Sequence, residues 1–192
     1  MINIYKKDLI CLAAFAMTLL VFGLPMVMAG ITGTVDVAIT SATEVSFDTS
    51  ATLDFGEGTP EAGGATLQSN GSGSEDGGDW DVVAGELTLD NIGGTSVSLT
   101  LSSSVDASEF IGGTTPTFKW MLTDGEGTSC TGGMLNGTEA FVEVTKTELT
   151  VCGDFNPDAG NDELDIDFEL FIPYDATDLS VPATITATAT AI

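Results

Sequence analysis

Between Glu163 and Ile172 the chain alternates strictly. Leu164, Ile166, Phe168, Leu170 and Ile172 share one face, and Asp165, Asp167 and Glu169 share the other. A two-residue period of this length marks a half-buried β-strand and leaves no helical stripe. The same period runs through 181–191, where Val181, Ala183, Ile185, Ala187, Ala189 and Ala191 oppose Thr184, Thr186, Thr188 and Thr190. It recurs in 95–101, where Val97, Leu99 and Leu101 alternate with Ser and Thr, and in 31–39 through Ile31, Gly33, Val35, Val37 and Ile39. Shorter stretches predict strands at 43–47, 51–55, 65–69, 79–83, 85–90, 117–122, 139–145 and 148–152. Asn91-Ile92-Gly93-Gly94 predicts a hairpin joining 85–90 to 95–101, with glycine supplying the positive backbone angles. A short helix near Asp106–Phe110 is the one helical expectation beyond residue 30. The segment 56–79 is rich in Gly, Ser, Glu and Asp and reads as a long mobile loop. Many short strands with Gly-rich turns predict an all-β domain: an antiparallel two-sheet sandwich, immunoglobulin-like or jelly-roll-like.

The first residues follow another pattern. Lys6 and Lys7 precede an apolar run from Leu9 to Met28, and Val27-Met28-Ala29 suits a signal peptidase cutting between Ala29 and Gly30. One reading makes 1–29 a signal peptide, helped by Pro25, which breaks a helix ahead of the cut. The other keeps 9–28 as a membrane anchor helix, since about 20 apolar residues span a bilayer. Both put residues 30–192 outside the cytoplasm as a single domain, extracellular or on the cell surface. With Cys11 in the apolar run, Cys130 and Cys152 remain, and an even count in an oxidising compartment reads as one disulfide. Such a closure stabilises by roughly 3 kcal/mol. Two reduced, buried thiols are the alternative. Asn70-Gly-Ser72 and Asn136-Gly-Thr138 fit the N-glycosylation acceptor pattern.

Charge then narrows the chemistry. After residue 29 the chain has 28 acidic side chains, Lys119, Lys146, no arginine and no histidine. The commonest general base and metal ligand is therefore missing, as are arginine clamps and any basic face for nucleic acid. At 43% apolar residues the chain is not disordered. Two carboxylates alone can hydrolyse glycosides, but the aromatic residues for a sugar platform reduce to Trp80, Trp120 and Tyr174, and Trp120 reads as core. No nucleophile elbow, phosphate loop or nucleotide fingerprint occurs, so a non-enzyme is expected. One acidic stretch concentrates oxygen ligands: Asp154, Asn156, Asp158, Asp162 and Asp165. Their spacing is compatible with a calcium loop between strands, but not with an EF-hand, because Ala159 stands where glycine is needed and Pro157 intervenes. A solvated acidic turn is the other reading, and no further cofactor is implied. Asp124-Gly125-Glu126 reads as a plain turn.

The exported part both begins and ends on an alternating strand. Each can complete its own sandwich or insert into a neighbour's sheet to give a head-to-tail filament. The order of elements adds a resemblance: an alternating strand over Gly30–Phe47, then Thr52-Leu-Asp-Phe-Gly56, then Leu87-Thr-Leu-Asp-Asn-Ile-Gly93 with Val97-Ser-Leu-Thr-Leu101, and Phe171-Ile-Pro-Tyr-Asp175 running into Ala183-Thr-Ile-Thr-Ala-Thr-Ala189. This pattern resembles exported sandwich proteins of the TasA/camelysin type. That resemblance implies an extracellular structural role in biofilm fibres, with assembly through a donated N-terminal strand and self-association as the main partnership. A pilin-like surface protein held by 9–28 and a calcium-dependent carbohydrate or surface-layer adhesin are the alternatives.

Overall fold

The computed structural model describes residues 31–39, 45–47, 52–69, 74–80, 85–133, 140–176 and 181–192. The expected signal or anchor segment, with Ala29 and Gly30, lies outside them. So do Asn70 and Asn136.

Thirteen strands and one short helix are described: β1 (Ile31–Ile39), β2 (Ser46–Phe47), β3 (Thr52–Pro60), β4 (Ala65–Gln68), β5 (Ser74–Asp76), β6 (Gly78–Trp80), β7 (Leu87–Asp90), β8 (Val97–Ser103), α1 (Ala107–Phe110), β9 (Thr117–Thr123), β10 (Val142–Glu143), β11 (Leu149–Phe155), β12 (Glu163–Ile172) and β13 (Ala183–Ala191). They form two sheets. Sheet A has the order β11-β8-β13-β1-β3-β6, and sheet B runs β10-β9-β12-β4-β5, with β7 on β12 and β2 on β7. The all-β two-sheet expectation holds, with one correction. The pairing is not purely antiparallel, because β1 runs parallel to β13, matching Val35–Ile39 with Ala183–Ala187.

The inward positions of the alternating strands make the core. Leu99, Leu101, Ala187 and Ile185 from sheet A meet Leu164, Ile166, Phe168 and Trp120 from sheet B, all fully buried. Each large side chain contributes about 2 kcal/mol on leaving water. Phe118 joins α1 to this core, its ring centroid 5.0 Å from Phe110 and 5.8 Å from Phe168. The helix starts where the sequence suggests, because Asp106 and Glu109 form a reciprocal capping box.

Two local expectations fail. The segment 91–96 is not a hairpin turn, since β7 pairs with β12 and β2 in sheet B while β8 pairs with β11 and β13 in sheet A. Asn91 redirects the chain between the sheets. It is buried, its Nδ2 donates to Phe155 O at 2.8 Å and Thr95 O at 3.1 Å, and its Oδ1 accepts from Gly93 N at 3.0 Å. Nor is 56–79 one long loop. β3 continues to Pro60, β4 returns in the other sheet, and β5 and β6 form an almost continuous strand broken at Gly77. That strand pairs with β4 at the border of sheet B and then with β3 at the border of sheet A. Glycine and acidic composition reflected this switch of sheets and an exposed edge, not an absence of pairing.

Gly77 has φ +89°, and a Cβ there would lie 2.4 Å from Gly64 O. Glu61 N donates to Gly77 O at 2.8 Å in the same corner. Gly77→Ala should therefore cost about 2 kcal/mol or more in urea unfolding. Gly63→Ala, with open space around its Cβ, should change stability by no more than about 0.5 kcal/mol. Equal effects of the two substitutions would contradict this account of the corner.

Candidate functional site

The acidic stretch singled out from the sequence lies at the end of the sandwich where β11 turns into β12. Two of its side-chain oxygens accept from backbone N–H groups within the turn. Asn156 Oδ1 accepts from Asp158 N at 3.0 Å, and Asp162 Oδ1 accepts from Gly160 N at 3.1 Å. Asp154 lies in β11, where its carbonyl accepts from Thr131 N at 2.9 Å, and Asp165 Oδ1 accepts from the Thr88 hydroxyl at 3.0 Å across strands. The five expected ligands thus extend from one strand through a turn into the next. Among the described residues no group of three or more Asp, Glu, Cys or His is placed to hold a metal ion.

Sequence reasoning missed the loop beside this turn. Glu126 Oε2 accepts from Asp162 N at 2.8 Å and Glu163 N at 3.2 Å, so it clamps the start of β12. Asp124 accepts from Gly127 N at 2.6 Å and Ser129 N at 2.9 Å. The Thr128 hydroxyl donates to Asn161 Oδ1. Asp124-Gly125-Glu126 is a turn, as expected, and also a clasp. The signal was an acid-Gly-acid turn, but the partners of Glu126 are over 30 residues away in sequence, while those of Asp124 lie in its own loop.

Cys130 and Cys152 are bonded, with their Cα atoms 5.8 Å apart. The bond ties the end of the 124–130 loop to β11. Cys130 forms an antiparallel bridge with Phe155, and Asn156 N donates to Ser129 O at 2.8 Å.

The outer faces of the two sheets differ. On sheet A, Thr150, Ser98, Thr100, Ser102, Thr184, Thr186, Thr188 and Thr190 point away from the core on β11, β8 and β13, with no charge among them. Sheet B carries Asp165, Asp167 and Glu169 beside Lys119. Lys119 Nζ meets Glu169 Oε1 at 2.8 Å, and Lys146 Nζ meets Glu109 at 2.8 Å, so both lysines are paired. Burial pushes Glu169 up, but its bonds from Lys119 and Gln68 hold it below the usual glutamate value.

Asp167 breaks the expectation of a wet face, being only 4% exposed. It falls between the stretches of β12 that pair with β7 (Glu163–Ile166) and with β4 (Glu169–Ile172). Ser69 Oγ is its hydrogen-bonding neighbour at 3.5 Å, and that oxygen also accepts from Phe168 N at 2.8 Å. On β9 it faces Met121. Burial, then the charges of Glu86 and Asp165, push the carboxyl up to about 6. This seam could not be read from alternation, since it arises where two strands share one edge of a third.

Comparison with protein-family models and with curated proteins gives no match.

The sign of the Asp167 effect follows from its raised value. The folded chain keeps this proton up to about pH 6, whereas the unfolded chain releases it near 3.8. Stability from the group is complete below about pH 4 and is lost as pH rises to 6. The raise corresponds to about 3 kcal/mol as an upper bound, because water reaching the seam reduces it. Asp167→Asn should match the parent near pH 4 and exceed it in stability at pH 7, measured by urea unfolding across that range. A constant difference between the two proteins over pH 4–7 would refute this.

Proposed function

We propose that this protein is an exported, non-enzymatic structural subunit of the cell surface that assembles into filaments by exchange of β1. The observation that carries the proposal is the position of that strand. β1 joins β13 on one side, through Val35–Ile39, to β3 on the other, through Ile31–Asp36. Without it, sheet A separates into β11-β8-β13 and β3-β6 with a gap one strand wide. Both borders of that gap offer backbone groups in a register already matched to β1. The same strand supplied by a neighbouring copy would make the same hydrogen bonds and bury the same Val35, so the exchange leaves the pairing energy almost unchanged. Cleavage before Gly30 would free β1 to leave its own chain. The immunoglobulin-like or jelly-roll-like assignment belongs to this proposal and is supported by the segments that pass from one sheet to the other. The resemblance to the TasA/camelysin type supports the same reading. The missing histidine and arginine and the two paired lysines support a role without catalysis.

A chain starting at Gly30 should form fibres visible by negative-stain microscopy, and deletion of residues 30–40 should abolish them. Adding a peptide of residues 30–40 to the truncated chain should restore a folded monomer. A stable monomer at high concentration, with β1 protected from hydrogen exchange within its own chain, would count against the proposal. Mass spectrometry of the native N-terminus separates this reading from the anchored alternative: a start at Gly30 excludes retention of 9–28.

A further inference from the structure

β12 meets two strands along one edge, and its ladder is interrupted between them. β7 takes Glu163–Ile166 and β4 takes Glu169–Ile172. Asp167 and Phe168 fall in the break. On this side Phe168 is held by Ser69, the residue that follows β4. Ser69 N donates to Phe168 O at 2.9 Å, and Phe168 N donates to Ser69 Oγ at 2.8 Å. The serine hydroxyl stands where a continuous partner strand would place a carbonyl. Ser69 is fully buried, and Asp167 is buried beside it. The Asp167 carboxyl has Ser69 Oγ as hydrogen-bonding neighbour at 3.5 Å, too long for a strong bond. The charges that act on it are Glu86, just ahead of β7, and Asp165 on β12, and both repel an anion. Asp165 is itself tied to the Thr88 hydroxyl of β7. From β9, Met121 lies opposite, and Lys119 is committed to Glu169 at 2.8 Å. From β4, Gln68 Nε2 also donates to Glu169, at 2.7 Å. A neutral carboxyl fits this seam, whereas a carboxylate needs water.

We infer that the join of β4 to β12 at Ser69 is a proton-operated hinge, closed while Asp167 carries its proton and opened when the proton leaves. Ser69 touches both Asp167 and Phe168, so admitting water to the carboxylate and losing the Ser69–Phe168 pair are one event. β4 carries β5 with it, and β5 runs into β6 at Gly77. The moving part is therefore the segment that crosses from sheet B to sheet A. β9 pairs with β12 along Asp165–Phe171 and keeps it in the sheet. β7 stays as well, because Asn91 N donates to Asp162 O at 2.8 Å just past its end and Thr88 holds Asp165. Exchange of β1 plays no part in this opening, since β1 lies in the other sheet.

Hydrogen exchange read amide by amide on the full chain tests it, from about pH 4 to about pH 7, with the rates corrected for base catalysis. The carboxyl titrates at about 6 in the closed seam and near 3.8 once freed, so opening grows from about pH 4 and levels off above about pH 6. Protection of the Ser69 and Phe168 amides should fall at least about tenfold over that span. The Asn91 amide reports the β7 side, and the Val144 amide, bonded to Phe118 O at 2.8 Å, reports the β9 side. Both should keep their protection, and they serve as the folding control in each variant. Asp167→Asn should hold the Ser69 and Phe168 amides protected at every pH, because the amide has no proton to lose. Ser69→Ala should open the Phe168 amide even at acid pH. Protection at Ser69 and Phe168 that does not vary with pH would overturn the hinge. Parallel loss at Asn91 or Val144 would place the opening in β7 or in the whole domain, and would overturn it as well. A pH dependence that survives Asp167→Asn would overturn Asp167 as the operating group. Should either variant fail to fold, the profile of the parent chain decides the hinge by itself.

Discussion

Sheet A is one sheet because β1 lies between β13 and β3. Among the described residues no other strand joins its two halves, and the pairing is parallel on one side and antiparallel on the other. The parallel side is the weaker ladder per residue, and it must bring together segments almost 150 residues apart. What favours the arrangement is burial: Val35, Ala183, Ile185 and Ala187 are all withdrawn from water at this joint. The alanines keep the inward face of β13 thin. Larger residues there would add apolar area but would have to fit within a sandwich about 10 Å thick. The core, the two faces and the closure of the sides all follow from a strand whose hold is backbone pairing with one small apolar stripe.

The acidic composition works around that framework instead of defining a reactive centre. Carboxylates at the β11–β12 end accept backbone N–H bonds, so Glu126, Asp124 and Asp162 serve as turn closures. Lys119 neutralises Glu169 in the middle of sheet B, and Lys146 neutralises Glu109 at α1. Among the described residues Asp167 has no cationic partner, and it lies buried between β7 and β4, flanked by like charge. The protein therefore tolerates one costly group on the face of sheet B, while the outer face of β11, β8 and β13 carries mainly hydroxyls, with Asp154 near the end of β11. Ser and Thr alternate there with buried Val, Leu, Ile and Ala, which gives sheet A a wet surface without adding to self-repulsion.

Much of this was legible along the chain. The alternation in 163–172 coincides with β12, that in 31–39 with β1, and the capping residues Asp106 and Glu109 mark α1. Those are local signals, carried by side-chain period or by neighbours three residues apart. The connection at Asn91 was misread because the same Gly-rich turn residues serve a hairpin and a crossover; the distant Phe155 carbonyl decides between them. The covering of 56–79 was misread because Gly and Asp were counted as loop-formers, whereas Gly77 is the point where one strand changes sheets. The candidate calcium stretch was visible as composition, but not the hold on its backbone, where Glu126 from another loop accepts from Asp162 N and Glu163 N and the Thr128 hydroxyl donates to Asn161. Sequence pattern locates strands well here and locates their partners poorly, since partnership is set by contacts between distant residues.

The borders of the sandwich are closed by backbone that crosses between the sheets. On one side the chain passes from sheet B to sheet A at Gly77, and on the other between Val144, whose N–H bonds Phe118 O, and Thr145, whose carbonyl accepts from Ser103 N. Continuous backbone therefore closes both flanks. A strongly anionic protein that meets its own kind must do so through groups that do not repel. Backbone pairing is such a group, because its strength is local and hardly depends on net charge. β1 carries Asp36 as its one acid, and that carboxylate already accepts from the Thr52 hydroxyl at 3.2 Å. Moving β1 into another copy therefore transfers little charge across the contact. In a chain with 28 acids after residue 29, the proposed transfer of β1 between copies would therefore meet little charge repulsion.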